Sequence, residues 1–251
     1  MGTPFAPNFA NIFMDRCETH LLASAPDQRK PLIWKRFIDD IFLVWTHGEE
    51  RLNTFLDHCN QCFPTIKFTA EKSTKTINFL DTTIYFNTEG KLESTLFVKP
   101  QDICTLLHNN SFHPESCKNG IIYSQALRYR RIITDNEELD KKLTTLRNNL
   151  IRRGYNLSEV KKQFDKIRNF SQADLLFPDN TKTKTQEKNL PFVIPYDNTT
   201  IQIGKILQTN WHIIEEDGTL NNIWTKKPFV ALKKHKNLKD TLVKSKLNKK
   251  Q

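Results

Sequence analysis

The chain has 251 residues and a formal charge of +10, from 38 Lys and Arg against 28 Asp and Glu. That length allows one or two cores. Five scattered cysteines, no secretory signal and no apolar run long enough to cross a bilayer point to a reduced, intracellular protein with no membrane partner.

Residues 1–24 read as a glycine turn and a helix, with Pro7 suited to its first turn and Ile12, Phe13 and Cys17 on one face. A Pro-flanked loop at 25–32 leads to a β-hairpin at 33–46. Its run Arg36-Phe37-Ile38-Asp39-Asp40-Ile41-Phe42 places two adjacent carboxylates in an apolar, β-prone stretch. Apolar residues on both sides predict burial, and buried neighbouring anions cost several kcal/mol unless compensated. The pair therefore points to a site for hard divalent cations, which take oxygen ligands. A plain surface turn is the alternative.

A helix follows at about 49–61, with Leu52, Phe55, Leu56 and Cys59 at helical spacing. Cys59-x-x-Cys62, preceded by His58, invites a zinc reading, but no second pair stands at zinc-finger spacing, so the end of a helix is preferred. Strands are predicted near 65–70, 76–86 and 92–98, completing a small antiparallel sheet with packed helices.

From Pro114 the period becomes helical. Thr134-x-x-Glu137 reads as a capping box before Leu139, Leu143, Leu146 and Leu150, a single apolar stripe closed by Gly154. A third helix from Ser158 turns Val160, Phe164 and Ile167 inward and Lys161, Lys162, Lys166 and Arg168 outward. His108 and His113 flank a turn and are expected to cap or fill a core. Residues 171–190 are polar and read as a flexible linker. After them come a strand at 192–196, a helix carrying Ile201, Ile206 and Leu207, and the segment from Trp211 to Ile214.

Charge is distributed unevenly. Residues 111–168 carry +6 and residues 226–250 carry +9, whereas 1–110 and 169–225 are −2 and −3. Basic surfaces of this kind track phosphate backbones; a solvated helical face and a solubilising tail are the alternatives. The expected fold is α+β: a small antiparallel sheet with packed helices at 1–100, an all-α helix-turn-helix-like module at 101–170, a linker at 171–190, a small α/β connector at 191–232 and a basic tail at 233–251.

Gly2-Thr3-Pro4-Phe5-Ala6-Pro7 resembles the Gly-x-x-x-(Ser/Ala)-Pro motif of reverse transcriptases, and Phe37-x-Asp39-Asp40 resembles their (Phe/Tyr)-x-Asp-Asp hairpin. The phrases GTPFAPNFANIFM, WKRFIDDIFLVW, IKFT, FLDTTIYF, LHNNSFHP, YSQALRYRRI and RRGY resemble one branch, the reverse transcriptases of Penelope-like retroelements. PFVALKKHKNLKDTLVKSKL looks like the segment before the endonuclease of those elements.

The resemblance implies RNA-directed DNA polymerisation with two Mg²⁺ ions, deoxynucleoside triphosphates, an RNA template and a DNA primer. Asp39 would be the direct metal ligand, Asp40 its support and Lys72 the acid for the pyrophosphate leaving group. Gly2, Phe5, Ala6 and Pro7 would shape the nucleotide pocket. Arg128, Arg130, Arg131, Lys161 and Lys162 would hold the nucleic-acid backbone from a thumb-like position.

In that family the partner aspartate lies on a strand ahead of the glycine turn. Asp15, in the first helix, and Asp27, in the loop after it, do not replace it. No Gly-Ile-Tyr nuclease signature occurs either. The expectation is a fragment with an incomplete active site. A non-catalytic nucleic-acid-binding module and the inert product of a decayed element stay open beside it.

Overall fold

The computed structural model describes residues 4–26, 30–102, 105–177, 191–197, 199–220, 226–234 and 242. Gly2, Asp27, residues 178–190 of the predicted linker and nearly all of the basic tail lie outside them. The fold is α+β, in two compact units: residues 1–102 with 132–138, and residues 103–131 with 139–251.

The first unit opens with helix α1 (Ala6–Ala23), whose first turn holds Pro7. Strands β1 (Ile33–Phe37) and β2 (Asp40–Val44) form an antiparallel hairpin in which Phe37 pairs with Asp40. Helix α2 (Glu49–Cys62) begins after Gly48 at φ +85°, with Glu49 and Glu50 favourably placed at its positive end. Leu21 and Ala25 pack with Phe55 and Cys59 of α2 into a buried core, against which lie Trp34, Trp45, Phe63 and Phe68. Cys59 is thus a core residue of a helix.

A second antiparallel sheet has the order β3 (Thr76–Phe79), β4 (Thr82–Phe86), β5 (Leu92–Leu96). The strand predicted over 76–86 is therefore two strands, broken by a two-residue turn at Leu80 and Asp81. Leu80 sits at φ +55°, and no Gly, Asn or Pro announces the reversal.

Residues 65–70 are not a strand, although the alternation predicts one. The Asn60 side-chain amide explains this. It donates to the Phe68 carbonyl (3.1 Å) and accepts from the Phe68 N–H (2.7 Å), taking bonds that a neighbouring strand would otherwise satisfy.

The second unit contains α3 (Glu115–Ile132) up to Arg131, α4 (Asn136–Arg152) from Leu139 onward, α5 (Leu157–Arg168) and the short α6 (Gln172–Leu176). Buried Leu139, Leu143, Leu146 and Leu150 on α4 and Val160, Phe164 and Ile167 on α5 are the stripes read from the sequence. The cap of α4 differs from the prediction. Asp135, not Thr134, accepts the Glu138 N–H at 2.7 Å, while Thr134 Oγ1 accepts the Ser94 N–H at 3.1 Å. One residue of displacement leaves the helix intact but reassigns both side chains.

Beyond α6, β6 (Pro191–Pro195) and β7 (Phe229–Lys233) pair in parallel, with α7 (Thr200–Thr209) and α8 (His212–Glu216) between them in the chain. Trp211 is buried here. The strand β7 was not anticipated, although Phe229-Val230-Ala231-Leu232 is a short apolar run of the right length.

Candidate functional site

The hairpin β1–β2 turns at Ile38 and Asp39. Ile38 has φ +56°, a conformation that a β-branched residue rarely adopts. Arg36 fixes the turn. Its Nε donates to Glu18 Oε1 (2.5 Å), and its Nη1 donates to Asn11 Oδ1 (3.0 Å) and to the Ile38 carbonyl (2.9 Å). The Arg36–Glu18 pair is largely withdrawn from solvent, so the tip is anchored to α1 by a desolvated ion pair.

The tip itself is exposed. Asp39 and Asp40 are solvent-accessible, and Phe37 and Ile38 are 55% and 63% exposed. This corrects the expectation of a buried carboxylate pair. A two-residue turn projects its side chains beyond the sheet, so flanking apolar residues do not enclose it.

Asp39, Asp40 and Lys72 line one groove of about 1130 Å³ within the first unit. Residues 39–43 contribute to the groove, as does the segment 67–80, and Trp34, Trp45 and Leu56 also line it. Lys72 is tied to α2: its Nζ donates to Asn53 Oδ1 and lies 3.7 Å from Glu49 Oε1. Phe5, Ala6 and Pro7 lie at the start of α1, with Phe5 exposed, and are not among the residues lining the groove. Among the described residues, no group of three or more His, Cys, Asp or Glu side chains converges as a metal site.

In the second unit, α4 and α5 are joined by residues 153–156, a turn containing Gly154 at φ +82°. The loop before α3 braces this turn. The Asn109 N–H donates to the Arg153 carbonyl at 2.9 Å, and a Cβ on Gly154 would meet His108 Cε1 at 3.3 Å. Buried Lys118 donates to the Asn109 carbonyl at 3.0 Å and pairs with Glu115. Tyr155 is buried beside this cluster, its hydroxyl without a hydrogen-bond partner among the described residues, and burial raises its pKa. His108 and His113 are exposed turn residues, with His108 Nδ1 accepting from the Asn110 N–H.

Asn156 caps α5 by accepting the Ser158 N–H at 2.8 Å. Two helices joined by a tight, glycine-containing turn form a helix-turn-helix. Its second helix carries Lys161 and Lys162 on the exposed side. Of the arginines on α3, Arg128 and Arg131 are exposed, while Arg130 donates through Nε to the Phe170 carbonyl at 2.8 Å. Arg130 therefore has a structural bond. Sequence reasoning missed Arg36 and Lys118: Arg36 is anchored by the Glu18 and Asn11 side chains of α1, and Lys118 by the Asn109 carbonyl ahead of α3, contacts with no local signature.

The model of the animal helix-turn-helix domain family matches residues 105–165, the span from the bracing loop through most of α5. No curated protein and no solved structure matches the chain. By sequence, residues 105–165 are similar to an animal helix-turn-helix domain.

Proposed function

We propose that this chain binds nucleic acid through its helix-turn-helix module and carries part of the palm of a reverse transcriptase resembling those of Penelope-like retroelements. The observation that carries the reading is the order along the chain. An Asp-Asp hairpin tip opens onto a groove that also holds Lys72, and a basic helix-turn-helix follows. Helix-turn-helix modules present their second helix to a nucleic-acid groove, and on that reading Lys161 and Lys162 would face the ligand.

Asp39 and Asp40 are hard oxygen donors, the chemistry that Mg²⁺ selects, and their exposure leaves room for substrate phosphates as further ligands. Mg²⁺, when bound, lowers the pKa of an attacking hydroxyl and neutralises charge on the leaving pyrophosphate. The chain's own contribution is positional: Arg36 holds the turn so that Asp39 and Asp40 stay at its tip. A further carboxylate is required, since none among the described residues joins the pair. The groove beside Asp40, Ile41, Phe42 and Leu43 could receive a strand that supplies it. RNA as template, DNA as primer and deoxynucleoside triphosphates as substrates complete the proposal.

The test is binding of an RNA–DNA hybrid by the chain and by Asp39→Ala, followed by fluorescence anisotropy. Salt-sensitive binding, unchanged or slightly tighter in Asp39→Ala, is expected, because removing an anion lessens repulsion. Absence of binding in both would sink the reading. A large loss in Asp39→Ala would place the hairpin inside the binding surface itself.

The second reading, a binding module without catalysis, is favoured by one observation: the incomplete carboxylate set among the described residues.

A further inference from the structure

Helix α4 was read from the sequence only for its buried leucines. Its opposite face is a separate feature. Lys141, Thr144, Thr145, Asn148 and Arg152 recur at three- and four-residue spacing and are all exposed. They lie on the side away from Leu139, Leu143, Leu146 and Leu150. From Lys141 to Arg152 this stripe carries no acid; exposed Asp140, one turn before Thr144, flanks it and is paired with Arg168, and Glu137 lies one turn before Lys141. The exposed side of α5 is mixed by comparison, with Asp165 set among Lys161, Lys162 and Lys166.

The stripe is also unspent. Among the described residues, the side chains of Lys141, Thr144, Asn148 and Arg152 make no hydrogen bond or ion pair, and only Thr145 turns its hydroxyl back, onto the Lys141 carbonyl at 3.2 Å. Arg168, on α5, is engaged by contrast: its guanidinium binds Asp140 and Asp165. Two cations at the ends, with a hydroxyl and an amide between them, suit a run of phosphates, which accept hydrogen bonds and repel carboxylates. The eleven helical steps from Lys141 to Arg152 rise about 16 Å, enough to follow several phosphates of one strand.

We infer that the outward face of α4, through Lys141, Thr144, Asn148 and Arg152, is a phosphate-contacting surface for a double-stranded nucleic acid. The inference rests on the nucleic-acid-binding reading of the same module and assigns residues that this reading did not include. DNA and RNA duplexes share the phosphodiester chemistry on which it depends.

The test uses the full chain and duplexes of about 20 base pairs, roughly two helical turns, one of DNA and one of RNA. Affinity is read by anisotropy between about 50 and 200 mM salt. In the double variant Lys141→Ala with Arg152→Ala, the slope of log affinity against log salt should shrink by about 2, with about a tenfold or greater loss of affinity. Thr144→Ala with Asn148→Ala should weaken binding while leaving the slope unchanged. Lys91→Ala, a charge removed from the β4–β5 turn, should alter neither.

Thermal melts by circular dichroism matching the parent would establish that these surface variants are folded. Unchanged affinity and slope in the Lys141 and Arg152 double variant, with the parent chain still binding, would overturn the inference alone. No binding of either duplex by the parent chain would overturn the helix-turn-helix reading and the inference with it. Whichever duplex binds more tightly identifies the source of the phosphates.

Discussion

Arg36 Nη1 donates to the carbonyl of Ile38 at 2.9 Å, and Ile38 is the residue at φ +56° immediately before the Asp pair. A strained turn persists only where its surroundings hold it. Here the same guanidinium that holds the turn is anchored on α1 by Glu18 and Asn11.

The hairpin should therefore respond in opposite directions to two substitutions. Ile38→Gly removes a left-handed penalty of about 1–2 kcal/mol, against about 0.5–1 kcal/mol for glycine's greater freedom when unfolded. Little burial is lost, since Ile38 is mostly exposed. Urea denaturation should show Ile38→Gly at or slightly above parental stability. Arg36→Ala should cost about 3–5 kcal/mol, because it leaves the Glu18 carboxylate largely desolvated and unpaired. Arg36→Ala at parental stability would show that the anchor is dispensable.

Gly154 occupies a turn that other residues enter only with strain. With φ +82° and His108 Cε1 at 3.3 Å from a Cβ there, Gly154→Ala should destabilise the chain by about 1–2 kcal/mol. Gly120→Ala, on helix α3 with open space around it, should instead be neutral or stabilising by up to about 1 kcal/mol. Chemical denaturation of both variants makes the comparison.

The helical module was legible in the sequence because its signals are local. Leu139, Leu143, Leu146 and Leu150 repeat at helical spacing, and Gly154 stands where the chain must take positive φ. The first unit was harder to read. Asn60 replaces strand pairing for Phe68 across eight residues, and the turn at Leu80 has no glycine to mark it. Exposure of Asp39 and Asp40 was misread because apolar neighbours along the chain, such as Phe37 and Ile38, are themselves exposed at the tip. Arg36 is invisible as an anchor until α1 and β1 are placed side by side.

The cap of α4 separates two nearby acids, Asp135 and Glu137. Asp135→Ala should cost about 1 kcal/mol through loss of the Glu138 N–H bond. Glu137→Ala, an exposed first-turn residue, should cost a few tenths, from its interaction with the helix dipole. Equal costs would restore the predicted box.

Burial pushes the Cys59 thiol from its ordinary 9.0 up to about 11. The fold thus favours the neutral thiol. Its contribution to stability is complete below pH 9 and is lost as pH rises through about 11. Denaturation midpoints should fall more steeply across that window in the parent than in Cys59→Ala. Disulfide-exchange reagents at neutral pH should modify exposed Cys117 quickly and buried Cys17 and Cys59 only on unfolding.

The most direct measurement is primer extension on an RNA template with Mg²⁺, comparing this chain with a longer one that carries an aspartate-bearing strand ahead of Gly2. The account predicts DNA synthesis by the longer chain, its loss in Asp39→Asn of that chain, and little or none from the 251 residues alone. Synthesis undiminished by Asp39→Asn, or none from either chain while both bind the hybrid, would contradict the assignment of the Asp39 and Asp40 hairpin to a polymerase site.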